Sequence, residues 1–208
     1  MIKFLQELPI IAIIRGVTPN ECLSITEAVY KAGIRVIEVP LNSPQACKSI
    51  EIMASEFGNK MLVGAGTVLT EQQVVDVKNA GGKIIVSPNM NPKVIQKTKA
   101  EGRHSFPGVM TVSECFDALD NGADGLKLFP SDVIGPKGLK AYKAVLPKEI
   151  PVFAVGGINE SNMKDWIDAG ATGFGLGSSL FKPGCRADFV FKQASAAISS
   201  YKNLHKKT

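Results

Sequence analysis

The sequence predicts an α/β fold: a compact (β/α)8 TIM barrel in a single domain over residues 1–208. Three observations predict it. Eight apolar runs alternate with helical patterns, and such alternation builds a parallel sheet, open or closed. The residues at the ends of those runs, Arg15, Glu38, Thr67, Pro88, Pro107, Lys127, Gly156 and Gly177, recur every 19 to 29 positions. That even spacing favours the closed barrel. No Gly-x-Gly-x-x-Gly fingerprint follows the first strand, which counts against an open dinucleotide-binding sheet. At 208 residues the barrel is shorter than the typical ~250.

Taken in order, Ile10-Ile-Ala-Ile-Ile14 reads as a strand buried on both faces, ending in Arg15-Gly16. Thr18-Pro19-Asn20-Glu21 has capping-box spacing and opens a helix that stops near Gly33. Arg35–Val39 is the second strand, and Ser43-Pro44 starts its helix. Met61–Gly64 leads into Ala65-Gly66-Thr67, with a helix from about Thr70 to Asn79. Lys83–Val86 is strand four, and Asn91-Pro92 opens the helix after it. His104–Phe106 is a weaker fifth strand, closed by Pro107-Gly108, and Thr111-x-x-Glu114 is a second capping box. Gly125–Phe129 is strand six, with a helix from about Lys137 to Val145. Pro151–Val155 and Thr172–Leu176 are strands seven and eight. A helix beginning at Asn159-x-x-Asn162 lies between them, and a last helix runs from Ala187 to Tyr201.

The composition, 45% hydrophobic and 21% charged, is that of a globular protein able to bury a core. The net charge of +5, counted with histidines neutral, is modest, and the tail that holds Lys202, His205, Lys206 and Lys207 supplies part of it through its lysines. That tail reads as a frayed helix end and not as a nucleic-acid arm. A basic pocket for an anionic metabolite also fits. Cys22, Cys47, Cys115 and Cys185 are far apart, without C-x-x-C or zinc spacing, so free thiols are expected. Only His104 and His205 are available as imidazole ligands, which argues against a His-based metal site. The first residues lack a signal h-region, and no apolar run reaches the roughly 18 residues of a membrane span. A soluble cytoplasmic protein that binds neither membrane nor nucleic acid is the expectation.

The chemistry is concentrated at the strand ends. Lys127 lies inside Gly125-Leu-Lys-Leu-Phe129, stopped by Pro130. An ammonium buried in such a run is costly and tends to lose its proton, and a neutral amine is what attack on a ketone requires. A lysine on the exposed face of an edge strand is the alternative. Glu38, within Val-Ile-Glu-Val, is a carboxylate whose desolvation would suit proton transfer; ion pairing with Arg15 or Lys127 is compatible with that role. Arg15 offers a fork of donors to a carboxylate. Thr67 follows Gly64-Ala-Gly66, where backbone can approach a ligand closely. Gly156-Gly157 and Gly177-Ser178-Ser179 follow strands seven and eight, where barrels often build a phosphate site. A nucleophilic lysine, an acid/base carboxylate, a carboxylate-binding arginine and a phosphate cradle together suit C–C bond cleavage beside a keto acid, without cofactor or metal.

These residues sit in motifs that span nearly the whole chain. They include Ile11-Ala-Ile-Ile-Arg-Gly16, Ile37-Glu-Val-Pro-Leu-Asn-Ser-Pro44, Gly64-Ala-Gly-Thr-Val68, Ser87-Pro-Asn89, Leu126-Lys-Leu-Phe-Pro130, Phe153-Ala-Val-Gly-Gly157 and Gly175-Leu-Gly-Ser178. In them the chain resembles the class I 2-keto-3-deoxy-6-phosphogluconate/galactonate aldolases. The resemblance implies that Lys127 is the Schiff-base lysine and Glu38 the general acid/base. It implies that Thr67, Pro88 and Phe129 surround the pyruvyl group, and that Gly156, Gly157, Gly177 and Ser178 hold the phosphate. It also implies a homotrimeric barrel whose small-molecule substrate, a phosphorylated 2-keto-3-deoxy sugar acid, yields pyruvate and glyceraldehyde 3-phosphate.

Two positions resemble the galactonate branch more closely. Gluconate-type members usually carry an arginine soon after the glutamate and a hydroxyl residue before the Gly-Gly pair. Here Val39-Pro-Leu-Asn-Ser43 follows Glu38, and Val155 precedes Gly156. The resemblance then assigns the carboxylate to Arg15 and a specificity position to Val155. A metal-dependent sugar-phosphate barrel is a rival reading, but only Glu38 and Asp132 stand as acidic ligands at strand ends. A non-catalytic sensor barrel predicts loss of Lys127 or Glu38, and both are present.

Overall fold

The computed structural model describes residues 2–205, so Lys206 and Lys207 of the basic tail lie outside the described residues. A short helix α1 (Lys3–Glu7) precedes β1 (Ile10–Ile13) and α2 (Cys22–Ala32). Then come β2 (Val36–Pro40), α3 (Ala46–Phe57), β3 (Leu62–Gly66), α4 (Glu71–Asn79), β4 (Ile84–Val86) and α5 (Pro92–Ala100). The fifth strand is in two pieces, β5 (His104–Phe106) and β6 (Gly108–Val109), followed by α6 (Val112–Asp120). The chain closes with β7 (Leu126–Leu128), α7 (Ser131–Lys143), β8 (Val152–Val155), α8 (Met163–Asp168), β9 (Gly173–Leu176) and α9 (Ala187–His205).

The strands are all parallel, in the order β5-β4-β3-β2-β1-β9-β8-β7-β6. β5 and β6 flank Pro107, which has no N–H to give to a neighbour. One half of this strand pairs with β4 and the other with β7. Pro107 O accepts from Lys127 N at 2.9 Å, and Ser105 O accepts from Asp124 N at 2.9 Å. The sheet therefore closes into the expected barrel of eight strand–helix units.

Residues alternate across the sheet, as strand geometry requires. Ile10, Ala12, Ile37, Val39, Leu126 and Leu128 face the helices. Ile11, Val36, Leu62, Ile84, Phe106 and Phe153 fill the barrel interior. Leu5 of α1 joins that inner cluster, with Phe4 packed against it, so the first helix plugs one end of the barrel. The same alternation sends Glu38, two residues after Val36, and Lys127, paired in register with Phe153, inward.

The capping boxes at Thr70/Gln73 and Thr111/Glu114 form in full, the latter as expected. Asn91 caps α5 by accepting from Lys93 N. The Thr18 box forms by half: Thr18 N donates to Glu21 Oε1 at 2.9 Å, but among the described residues the Thr18 hydroxyl accepts from no helix N–H. Thr18 Oγ1 donates to Glu21 Oε1, and the two residues close a turn ahead of α2, which starts at Cys22. Ser43 does not start α3 either; its hydroxyl accepts from Gly16 N at 2.8 Å and ties the ends of β1 and β2 together. The helix expected from Lys137 begins at Ser131, with a break at Gly135 (φ 72°). Pro136 disfavours the helical region for the residue before it, so the sequence pattern reveals only the second piece.

Candidate active site

One cleft of about 320 Å³ opens at the carboxyl ends of the strands. Ile13, Glu38, Lys127, Val155 and Gly175 line its floor, and register explains why. Ile13 pairs with Glu38, and Val155 with Gly175. These inward positions lie one layer above the apolar plug. Strand alternation thus places two ionisable side chains directly above an apolar base.

Lys127 is 6% exposed and Glu38 1%. Burial pushes the Glu38 carboxyl from its ordinary 4.5 up to about 7, although the Lys127 and Arg15 charges and the Gly66 N–H pull it down. Burial likewise lowers the Lys127 ammonium; the Glu38 charge opposes that shift and Arg15 adds to it. Among the described residues, no ion pair within 4.0 Å joins Lys127 to a carboxylate. Its Nζ lies 4.5 Å from the centroid of the Phe129 ring. Glu38 Oε2 is buried with no protein hydrogen-bond partner. An amine whose charged form is disfavoured by burial thus shares a cleft with a carboxyl raised to about 7, the pairing expected where acid–base work is done.

The pose of Glu38 depends on Gly66, a residue with no chemistry of its own. A Cβ built at Gly66 would stand 2.0 Å from Glu38 Oε2 and 2.4 Å from Oε1. No other residue type leaves room for the carboxylate there. Ser131 is a second unanticipated contributor. It is fully buried; its Oγ donates to Leu128 O at 2.7 Å and accepts from Val155 N at 2.8 Å. One hydroxyl therefore joins the strand that carries Lys127 to the strand that carries Val155.

At the rim, Arg15 donates to Asn42 Oδ1 at 2.6 Å and is exposed to the cleft mouth. On the opposite side, Gly156 (φ 106°) and Gly157 (φ 69°) adopt left-handed conformations that favour glycine. Asn162 Nδ2 donates to Gly157 O at 2.8 Å and steadies this loop. The N–H groups of Gly157, Ser178 and Ser179 find no protein acceptor among the described residues, leaving donors for an anion. Phe129, Gly177 and Ser178 also line the cleft.

The structure thus brings together nine of the positions singled out in the sequence: Arg15, Glu38, Lys127, Phe129, Val155, Gly156, Gly157, Gly177 and Ser178. Thr67 and Pro88, both half-buried, do not line this cleft. Thr67 follows Gly66 in a left-handed conformation, φ 56°, which is uncommon for a β-branched residue. Ser179 lines the cleft beside Ser178, as the phosphate-loop reading expects, and Phe181, Lys182 and Pro183, which carry no motif, line it as well. Their only signal was proximity to the loop after the last strand. Among the described residues, no cluster of three His, Cys, Asp or Glu side chains could hold a metal. No helix among them is long and apolar enough to cross a membrane.

Residues 1–194 match the aldolase family described as KDPG and KHG aldolase. The 2-dehydro-3-deoxy-6-phosphogalactonate aldolase of Escherichia coli (strain K12) is 46% identical over 196 residues, which cover 94% of this chain and 96% of that protein. A native KDPGal structure superposes with a TM-score of 0.95 at 45% identity, covering 96% of this chain and 97% of the other. The KDPG aldolase of Legionella pneumophila, with pyruvate captured as a covalent carbinolamine, superposes with a TM-score of 0.82 at 30% identity, covering 91% and 93% of the two chains. This chain belongs to the KDPG and KHG aldolase family.

Proposed function

We propose that this aldolase cleaves 2-dehydro-3-deoxy-6-phosphogalactonate to pyruvate and glyceraldehyde 3-phosphate through a Schiff base on Lys127. The observation that carries the reading is the pair of buried ionisable groups, Lys127 and Glu38, facing one cleft with their pKa values displaced toward each other. The Lys127 amine adds to the C2 ketone, and loss of water leaves an iminium. The Glu38 carboxylate takes the proton of the C4 hydroxyl. The C3–C4 bond breaks, its electron pair passes into an enamine, and glyceraldehyde 3-phosphate leaves. Protonation at C3 and hydrolysis of the imine release pyruvate and restore the amine. Arg15 would hold the substrate carboxylate, and the glycine loops its phosphate.

The galacto epimer is supported by Val155, 7% exposed on the cleft floor. Valine offers a methyl where threonine would offer a donor and an acceptor of similar shape, and a site built to hydrogen-bond a hydroxyl discriminates strongly. The test is kcat/KM for both epimers. The wild type is expected to favour the galactonate derivative, and Val155→Thr to shift the ratio toward the gluconate epimer by about 1–2 kcal/mol, the worth of one hydrogen bond. A wild-type preference for the gluconate epimer would overturn the assignment. Homotrimeric assembly belongs to the same proposal; light scattering should give three times the 22.2 kDa chain mass, and a monomer mass would remove it. The four free thiols support a reducing, cytoplasmic setting.

A further inference from the structure

The phosphate side of the cleft is short of positive charge. Gly156, Gly157, Gly177 and Ser178 supply only neutral donors, and a carboxylate stands beside the first pair. A Cβ on Gly156 would lie 3.3 Å from Asp132 Oδ1, and one on Gly157 would lie 3.0 Å from Asp132 Cβ. A phosphate dianion placed there needs a cation nearby to offset Asp132. Arg15 is engaged with Asn42 at the β1–β2 side of the mouth, and Lys127 is on the floor.

One further cation lines the cleft, Lys182. It lies four residues after Ser178, in the segment that follows β9. Its backbone is anchored on both sides. Phe181 is 3% exposed, with its N–H donating to Gly177 O at 2.9 Å. Pro183 packs so closely on Gly16 that a Cβ there would lie 2.6 Å from Pro183 Cγ. The Lys182 side chain is exposed, and among the described residues it forms no ion pair with a carboxylate. A flexible, unengaged ammonium on an anchored backbone, at the mouth of a cleft with neutral anion donors, is suited to closing on a dianion.

We infer that Lys182 is a specificity-determining residue that selects phosphorylated over unphosphorylated substrates by contributing the positive charge the glycine loops lack. The inference rests on the aldolase reading above. Binding energy at the phosphate is remote from the C3–C4 bond, so it can orient the reacting carbons and raise turnover as well as affinity. An ammonium in water at the mouth also draws the anion in, an effect that salt weakens.

The experiment measures kcat/KM for the phosphorylated substrate and its dephosphorylated analogue, at low and high salt, in wild type, Lys182→Gln and Lys182→Arg. In Lys182→Gln the ratio of the two kcat/KM values should fall by about tenfold or more, the worth of a hydrogen bond to a charged group. The salt dependence for the phosphorylated substrate should become shallower, and Lys182→Arg should restore most of the ratio. A ratio within twofold of wild type in Lys182→Gln, or an unaltered salt dependence, overturns the inference. Pyruvate and borohydride are applied to the same proteins. A Lys127 adduct in wild type with an unchanged Lys182→Gln ratio rejects Lys182 alone, whereas no adduct in wild type rejects the aldolase mechanism itself.

Discussion

Glu38 carries a cost that its position explains. Its folded-state pKa, about 7, lies above the ordinary 4.5 because burial disfavours the charge. The folded protein therefore keeps a proton that the unfolded chain releases between pH 4.5 and about 7, and stability falls as pH rises through that window. Each tenfold change in the ionisation constant is worth about 1.4 kcal/mol. Glu38→Gln should accordingly be more stable than wild type by up to about 3 kcal/mol above pH 7, with no difference below pH 4.5. The same variant should lose about 10²- to 10⁴-fold in turnover, the usual worth of a positioned acid–base group. Wild-type kcat/KM should fall as pH drops below about 7, where the carboxylate is protonated. Denaturant melts at pH 5 and 8, set beside the pH–rate profile, check both halves. Equal stability of the two proteins at pH 8 would mean that Glu38 is solvated in solution. The inward, buried placement of Lys127 and Glu38 was legible because an ionisable residue in an apolar run stands out. Gly66 and Ser131 were not, since their roles are a space and a cross-strand hydroxyl that exist only once β3 lies against β2 and β7 against β8.

Among the elements, the seam at the fifth strand is interrupted: Pro107 divides it, and β6 is two residues long. Asp124 spans the break. It accepts from Ser105 N at 2.8 Å and from Lys99 Nζ at 2.6 Å, and Asp124 N donates to Ser105 O. Burial alone would raise its carboxyl; His104, Lys99 and the Ser105 N–H outweigh that and hold it at about 2. A depressed carboxyl stabilises the fold above its ordinary value of 3.8 and loses that contribution as pH falls toward 2. Asp124→Asn should lower unfolding stability at pH 7 by about 1–2 kcal/mol, the gap narrowing below pH 4. A constant gap from pH 7 to pH 3 would show that its charge does not brace the seam. Most elements were legible from apolar runs and turn residues, since a parallel barrel strand is buried on both faces. What escaped was non-local or masked. Ser43 serves Gly16, α7 hides its first turn behind Gly135-Pro136, and β6 is too short for a pattern.

At the scale of the molecule, barrel closure, the α1 plug and the inward alternation of eight strands deliver one result: an amine and a carboxyl on an apolar floor beneath a mouth with cations and free N–H donors. Family membership accounts for the class of reaction, and the cleft accounts for how this chain would perform it. In the proposed reaction everything follows from imine formation at Lys127. Borohydride reduction of the protein with pyruvate, followed by peptide mass mapping, tests it most directly. One reduced pyruvyl adduct is expected, on the peptide carrying Lys127, and none in Lys127→Arg, whose guanidinium stays protonated. An adduct on another lysine, or its persistence in Lys127→Arg, would contradict it.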